Sequence, residues 1–99
     1  MSISTRLDQG VLSIRIMGRF DFSVHNEFRQ AIQLASSGVT KTMVDLSGTE
    51  YLDSSALGML LVLRDKVGGG KETVHITGAQ SEVKKILAIA NFDKLFTLD

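Results

Sequence analysis

The chain has 99 residues, carries no formal net charge and contains no cysteine. This length is typical of one domain, and about a third of the residues are Leu, Ile, Val or Phe, enough to form a hydrophobic core. The balanced charge excludes the basic surface of a nucleic-acid binder, and the lack of cysteine excludes disulfides and zinc–thiolate sites. No apolar run reaches the roughly 18 residues of a membrane span, and the polar first residues do not have the form of a signal peptide. We therefore predict one cytoplasmic domain over residues 1–99, with no nucleic-acid partner and no membrane insertion.

Two short segments with alternating apolar and polar residues open the chain. They run from Ile3 to Leu7 and from Val11 to Met17, and Asp8-Gln9-Gly10 between them has the composition of a turn. This pattern predicts an antiparallel hairpin. Its second strand places three apolar side chains on one face: Leu12, Ile14 and Ile16.

The apolar spacing becomes helical after Gly18. One stripe at helical spacing consists of Val24, Phe28, Ala31, Ile32 and Ala35. Ser23 is the expected N-cap of this helix and Gly38 its expected stop. The mostly apolar run from Lys41 to Leu46 then predicts a buried strand.

The second half of the chain repeats the alternation of helix and strand. A second helix is predicted from Asp53-Ser54 to Val67, ending at Gly68-Gly69-Gly70 because glycine disfavours helix. Its expected core stripe is Leu57, Leu60, Leu61, Arg64 and Val67, which Leu63 widens. A β-branched strand follows at 73–77, then a helix from about Ser81 to Ala90, and 95–98 predicts a last edge strand.

Strands separated by helices imply right-handed crossovers and a sheet that is parallel in its middle. The predicted fold class is therefore α/β: a small mixed β-sheet with parallel central strands and an N-terminal antiparallel hairpin, packed with three to four helices.

The segment from Val44 to Gly58 carries the most unusual local chemistry. It leads from a buried strand through a short loop into the second helix. The simplest interpretation is that Asp53 or Ser54 caps the helix and that Ser55 has no role. However, Ala56 and Gly58 are small and leave the start of the helix accessible, and a helix N-terminus accepts a phosphoryl group on a serine.

These residues resemble a known family. Leu52-Asp53-Ser54-Ser55-Ala56-Leu57-Gly58 is similar to the Asp-Ser-Ser/Thr-Gly/Ala-Leu-Gly signature of STAS domains, the bacterial anti-sigma factor antagonists. The resemblance extends over the whole chain through Gly18-Arg19-Phe20-Asp21, the glycines at 68–70 and the closing segment at 78–90. It implies a binding module that is a substrate of a kinase and is not itself an enzyme.

The resemblance also implies specific residues and partners. Ser55 corresponds to the serine that is phosphorylated by an anti-sigma factor with serine kinase activity, and a PP2C-type serine phosphatase would reset it. The implied partner-binding surface comprises Asp21, Phe22, Asp53, Ser54, Ser55, Ala56, Leu57 and Gly58. Of the two phenylalanines that flank Asp21, one is expected in the core and the other, if exposed, would anchor a partner. No cofactor is expected, and the chain is predicted to be a monomer or weak dimer.

A second function remains open: a STAS adaptor that is never phosphorylated, such as a subunit of a lipid-transport ATPase complex. Three catalytic or ligand-binding readings are weaker. A Ser55–His75–Asp45 triad lacks the Gly-x-Ser-x-Gly context, His25-x-Glu27 lacks the ligands of a zinc site, and Gly68-Gly69-Gly70-Lys71 does not match a phosphate-binding loop.

Overall fold

The computed structural model describes residues 3–35, 38–70 and 73–99. These ranges contain seven strands and three helices, with two single 3-10 turns at Phe22–Val24 and Phe92–Lys94. The strands are β1 (Ile3–Asp8), β2 (Val11–Ile16), β3 (Gly18–Phe20), β4 (Lys41–Asp45), β5 (Thr49–Leu52), β6 (Val74–Thr77) and β7 (Thr97–Leu98). The helices are α1 (His25–Gln33), α2 (Ser54–Lys66) and α3 (Ser81–Ile89).

The main sheet has five strands in the order β1-β2-β4-β6-β7. β1 and β2 form the predicted antiparallel hairpin, and β2, β4, β6 and β7 are parallel to one another. The predicted α/β class, the parallel centre and the terminal edge strand are therefore confirmed. The edge strand is only two residues long, because a 3-10 turn and Leu95-Phe96 occupy the residues before it.

The core lies against one face of the sheet. On β2 the side chains of Leu12, Ile14 and Ile16 are fully buried, whereas Ser13 is half-buried and Arg15 is exposed. The same alternation holds on β4 and β6, and the predicted stripe of α1 packs onto the buried face. Within the described ranges, no helix combines the length and apolar character that crossing a bilayer requires.

A second, two-stranded sheet was not predicted. β3 continues the chain beyond β2, and it pairs in parallel with β5, a segment that was predicted to be part of a loop. These strands have three and four residues, too few to show an alternating pattern. The buried hydroxyl of Thr49 donates a 2.8 Å hydrogen bond to the carbonyl of Ile16 and fixes the start of β5.

The predicted boundaries of the first helix are wrong at both ends. Asp21, not Ser23, is the capping residue, and it caps the 3-10 turn that precedes α1. At the other end, α1 stops at Gln33 because the amides of Leu34 and Ala35 bond to carbonyls three residues back, which tightens the last turn. Gly38 therefore does not end the helix, and residues 36 and 37 lie outside the described ranges.

The predicted core stripe of the second helix is confirmed at Leu60 and Leu63, and Leu57 and Val67 pack half-buried against the core, but it is wrong at Leu61. The buried residues of α2 are Ala56, Met59, Leu60 and Leu63, whereas Leu61 is 38% exposed and lies on the outer face with Val62. The error arises because α2 is apolar on nearly all sides, so that the spacing of its leucines does not define a single face. Lys71, which was considered above as part of a phosphate-binding loop, lies outside the described ranges.

Candidate functional site

Two aspartates end the two strands of the small sheet. Phe20 on β3 lies opposite Leu52 on β5, and Asp21 and Asp53 follow them directly. Both aspartates have extended backbones, with φ and ψ of −137° and −168° at Asp21 and of −124° and −172° at Asp53. Parallel strands end at the same edge, so the two carboxylates lie near each other, and the charge of Asp21 acts to raise the pKa of Asp53.

Asp53 is the N-cap of α2, as one of the two sequence-based alternatives stated. Its Oδ1 accepts hydrogen bonds from the Ser55 amide at 3.0 Å, the Ala56 amide at 3.2 Å and the Ser55 hydroxyl at 2.6 Å. The hydroxyl bond is the largest cause that lowers the pKa of Asp53 below its ordinary value, since it stabilises the charged carboxylate. The Ser55 hydroxyl is thus held in place by an ionised carboxylate.

Asp21 has nearly the same local geometry. Its Oδ1 accepts bonds from the amide and the hydroxyl of Ser23, and its Oδ2 lies 3.2 Å from the Arg19 Nε. The Ser23 hydroxyl is the largest cause that lowers the pKa of Asp21, followed by the Ser23 amide and Arg19. The Arg19 guanidinium also stacks over the ring of Tyr51, 4.3 Å from its centroid, which connects β3 to β5.

Of the two phenylalanines flanking Asp21, one is buried in the core and the other is exposed, as expected. Phe20 is fully buried against Phe28, with ring centroids 5.3 Å apart. Phe22 is 69% exposed, and its ring stacks on His25 at 4.9 Å. Phe22 is therefore a surface residue beside the two aspartates.

Ser55 lies half-buried at one wall of an open, mainly apolar groove of about 440 Å³ between α1 and α2, which we call the α1–α2 groove. Phe22, His25 and Arg29 line the α1 side, and Ser55, Gly58 and Val62 are among the residues of the α2 side. His25, Arg29 and Val62 were not predicted as parts of a binding surface. No motif marks them, and the exposure of Val62 follows only from the rotation of α2.

The remaining predicted residues differ in accessibility. Ser54 and Gly58 are exposed and Leu57 is half-buried. Ala56 is fully buried, so its side chain contacts the core, and only its amide takes part in the site through its bond to Asp53.

The Ser55–His75–Asp45 triad considered from the sequence is not assembled. The Ser55 hydroxyl bonds to Asp53, Asp45 accepts a 2.9 Å bond from the Ser47 amide, and His75 lies 3.9 Å from Asp99. The Ser47 amide is also the largest cause that lowers the pKa of Asp45. Across the described part of the chain, no group of three or more histidine, aspartate or glutamate side chains is arranged to hold a metal ion.

The chain matches known proteins over most of its length. A family model described as "Mlab, STAS domain" matches residues 3–98. A STAS-domain containing protein of Pseudomonas aeruginosa (strain UCBPP-PA14) is 48% identical over 87 residues, which are 88% of this chain and 86% of that protein.

Solved structures have the same fold. An anti-sigma factor antagonist from Mycobacterium paratuberculosis superposes with a TM-score of 0.81 at 25% identity, over 97% of this chain and 82% of that one. The anti-sigma factor antagonist SpoIIAA matches in its unphosphorylated form, with a TM-score of 0.76 at 16% identity, over 98% of this chain and 86% of that one. The phosphorylated form of Bacillus SpoIIAA matches with a TM-score of 0.68 at 14% identity, over 98% and 90%.

Proposed function

The chain belongs to the STAS domain family, and from that premise we propose that it is an anti-sigma factor antagonist controlled by phosphorylation of Ser55. In the unmodified state it would bind an anti-sigma factor that is also a serine kinase, and thereby release a sigma factor. A PP2C-type phosphatase would restore this state after phosphorylation. The proposed binding surface comprises Asp21, Phe22, Asp53, Ser54, Ser55, Leu57 and Gly58, with Ala56 as its buried support.

The main support for the proposal is the position of the Ser55 hydroxyl. It lies in the first turn of α2, beside an exposed phenylalanine and two carboxylates whose pKa values are lowered. A half-buried hydroxyl beside an open groove is a suitable phosphate acceptor, and the positive end of the helix dipole at the start of α2 favours the added negative charge. Relatives of the same fold include SpoIIAA, which is known in both phosphorylation states.

The modification is a phosphoryl transfer. The Ser55 Oγ forms a bond to the γ-phosphorus of a nucleoside triphosphate while the bond to the β,γ-bridging oxygen breaks, and the nucleoside diphosphate leaves. The hydroxyl proton passes to a base of the kinase. The product carries about two negative charges beside Asp53. An unpaired charge buried in an interface costs about 3–5 kcal/mol, so the complex would dissociate.

The test is binding of the serine-kinase anti-sigma factors encoded in the same genome, each titrated against wild type, Ser55→Ala and Ser55→Asp. We expect that wild type and Ser55→Ala bind, that only wild type is phosphorylated, and that Ser55→Asp binds at least about tenfold more weakly, or 1.4 kcal/mol. Ser4→Asp is the matched control, because it adds the same charge at an exposed position on β1.

Equal binding by wild type and both Ser55 variants would contradict the switch. If mass spectrometry located the phosphate on Ser54, the phosphorylated residue would be Ser54 and not Ser55. If no kinase modifies the chain and it co-purifies with a transport ATPase, the adaptor function replaces the proposed one.

A further inference from the structure

The α1–α2 groove contains a glycine that the fold itself does not require. Gly58 lies in the interior of α2, where glycine destabilises a helix by about 1 kcal/mol relative to alanine. Its φ is not positive, and a Cβ added there would meet no atom within 4 Å apart from the neighbouring residues and backbone of its own helix. Neither backbone conformation nor internal packing therefore explains the glycine. The missing side chain at Gly58 leaves a notch in the groove wall.

Exposed apolar side chains border this notch. Val62 follows Gly58 by one turn and is 56% exposed, and Phe22 faces it from the α1 side with 69% exposure. Contiguous exposed apolar surface of this kind marks interaction sites in proteins that are otherwise polar outside. The groove thus has the shape and composition of a receptor for an apolar side chain.

The charges of the groove indicate what kind of segment would fit. Arg29 is an exposed cation in the α1 wall, and no carboxylate of the described residues pairs with it. His25, one turn earlier, is the other titratable group in the lining, and the lining contains no acidic residue. Asp21 and Asp53 are not part of the lining: Asp21 pairs with Arg19 at 3.2 Å, and Asp53 caps the N-terminus of α2, where the helix dipole offsets part of its charge.

We propose that the α1–α2 groove binds an acidic amphipathic helix of the anti-sigma factor. One apolar side chain of that helix fills the notch at Gly58, and a carboxylate pairs with Arg29. This inference rests on the proposed function and assigns the partner's contact. If the helix binds in this way, a phosphate on Ser55 weakens the complex by a second route in addition to its charge in the interface. It lies in the same groove, repels the acidic helix and competes with the helix carboxylate for Arg29.

The experiment uses the same serine-kinase anti-sigma factors with two groove variants. Gly58→Leu fills the notch and Arg29→Glu reverses the charge. We expect each to weaken binding at least about tenfold. Gly58→Leu should melt no lower than wild type, since it replaces a helical glycine. Ala88→Leu and Lys85→Glu are the matched controls, because they make similar changes at exposed positions of α3 and should leave binding unchanged.

A second readout locates the contact directly. In protein labelled with ¹³C at methyl groups, the Met59 and Ile32 signals, which belong to the groove lining, should shift on complex formation. Normal binding by Gly58→Leu, or unshifted groove methyls in a complex that Ser55→Asp still disrupts, would overturn the groove assignment and leave the proposed function intact. Failure of wild type to bind any of these anti-sigma factors would overturn both.

Discussion

The Ser55 hydroxyl donates a 2.6 Å hydrogen bond to the Oδ1 of Asp53, the residue that caps α2. The proposed phosphate acceptor is therefore part of the helix cap, and its modification alters the cap. Phosphorylation removes the hydroxyl donor and places a dianion next to the carboxylate. The consequence is electrostatic and local, which is compatible with a switch that leaves the fold unchanged.

This relationship predicts the titration of Asp53. The pKa of Asp53 should rise in Ser55→Ala, because the largest cause of its lowered value is removed, and it should rise further with phosphoserine at 55. NMR titration of the carboxyl carbon measures both values. Ser23→Ala provides the matched control, since it should raise the pKa of Asp21. An Asp53 pKa that stays at its wild-type value in Ser55→Ala would contradict the interpretation.

A second prediction concerns stability at low pH. The pKa values of Asp21, Asp45 and Asp53 are lowered in the folded chain from an ordinary value of 3.8. The unfolded state therefore binds more protons in this range, and the stability from these groups is complete above about pH 5 and is lost as the pH falls through 3.8 towards the folded values. Urea unfolding at pH 6 and pH 3 should show a lower free energy of unfolding at pH 3.

Asp53→Asn is the control for that titration. Asparagine keeps a capping oxygen but does not ionise, so the fall in the free energy of unfolding between pH 6 and pH 3 should be smaller than in wild type. A variant with the same fall would show that Asp53 does not contribute to the acid sensitivity.

Loss of the cap itself should be measurable. Asp53→Ala leaves the amides of Ser55 and Ala56 without their acceptor and should lower the free energy of unfolding by about 1 kcal/mol. Ser54→Ala removes an exposed hydroxyl next to the cap, so its effect should stay within about 0.5 kcal/mol. Chemical denaturation of both variants makes the comparison, and equal losses would contradict the assignment of Asp53 as the cap.

The rotation of α2 gives a prediction for two adjacent leucines. Leu60 is fully buried, so Leu60→Ala should destabilise the domain by about 2–5 kcal/mol. Leu61 lies on the outer face with 38% exposure, and Leu61→Ala should cost well under half as much. Comparable losses in the two variants would favour the helix orientation predicted from the sequence.

The sequence predicted the elements whose pattern is long and one-sided. The alternation at Leu12, Ile14 and Ile16 identified the strand and its buried face, and the stripe through Phe28 and Ile32 identified α1. It did not predict the small sheet, because β3 and β5 are too short to show a period. That sheet is nevertheless what brings Asp21 next to Asp53.

The candidate site was predictable only in part. The signature from Leu52 to Gly58 marked Ser55 as a candidate, and of the two caps predicted for the second helix, Asp53 and Ser54, the structure confirms Asp53. The α1–α2 groove was not predictable, because it depends on the rotation of an all-round apolar helix and on side chains such as Arg29 that belong to no motif. Its shape results from packing, which the spacing of apolar residues in α2 leaves undetermined.

The most direct measurement is the affinity of one anti-sigma factor for two forms of this chain that differ only in a phosphate on Ser55. Phosphoserine can be installed at 55 during translation, so that the comparison does not depend on the kinase. Calorimetry should give an affinity at least about 100-fold lower for the phosphorylated form, equivalent to about 2.7 kcal/mol. Equal affinities for the two forms would contradict the central claim.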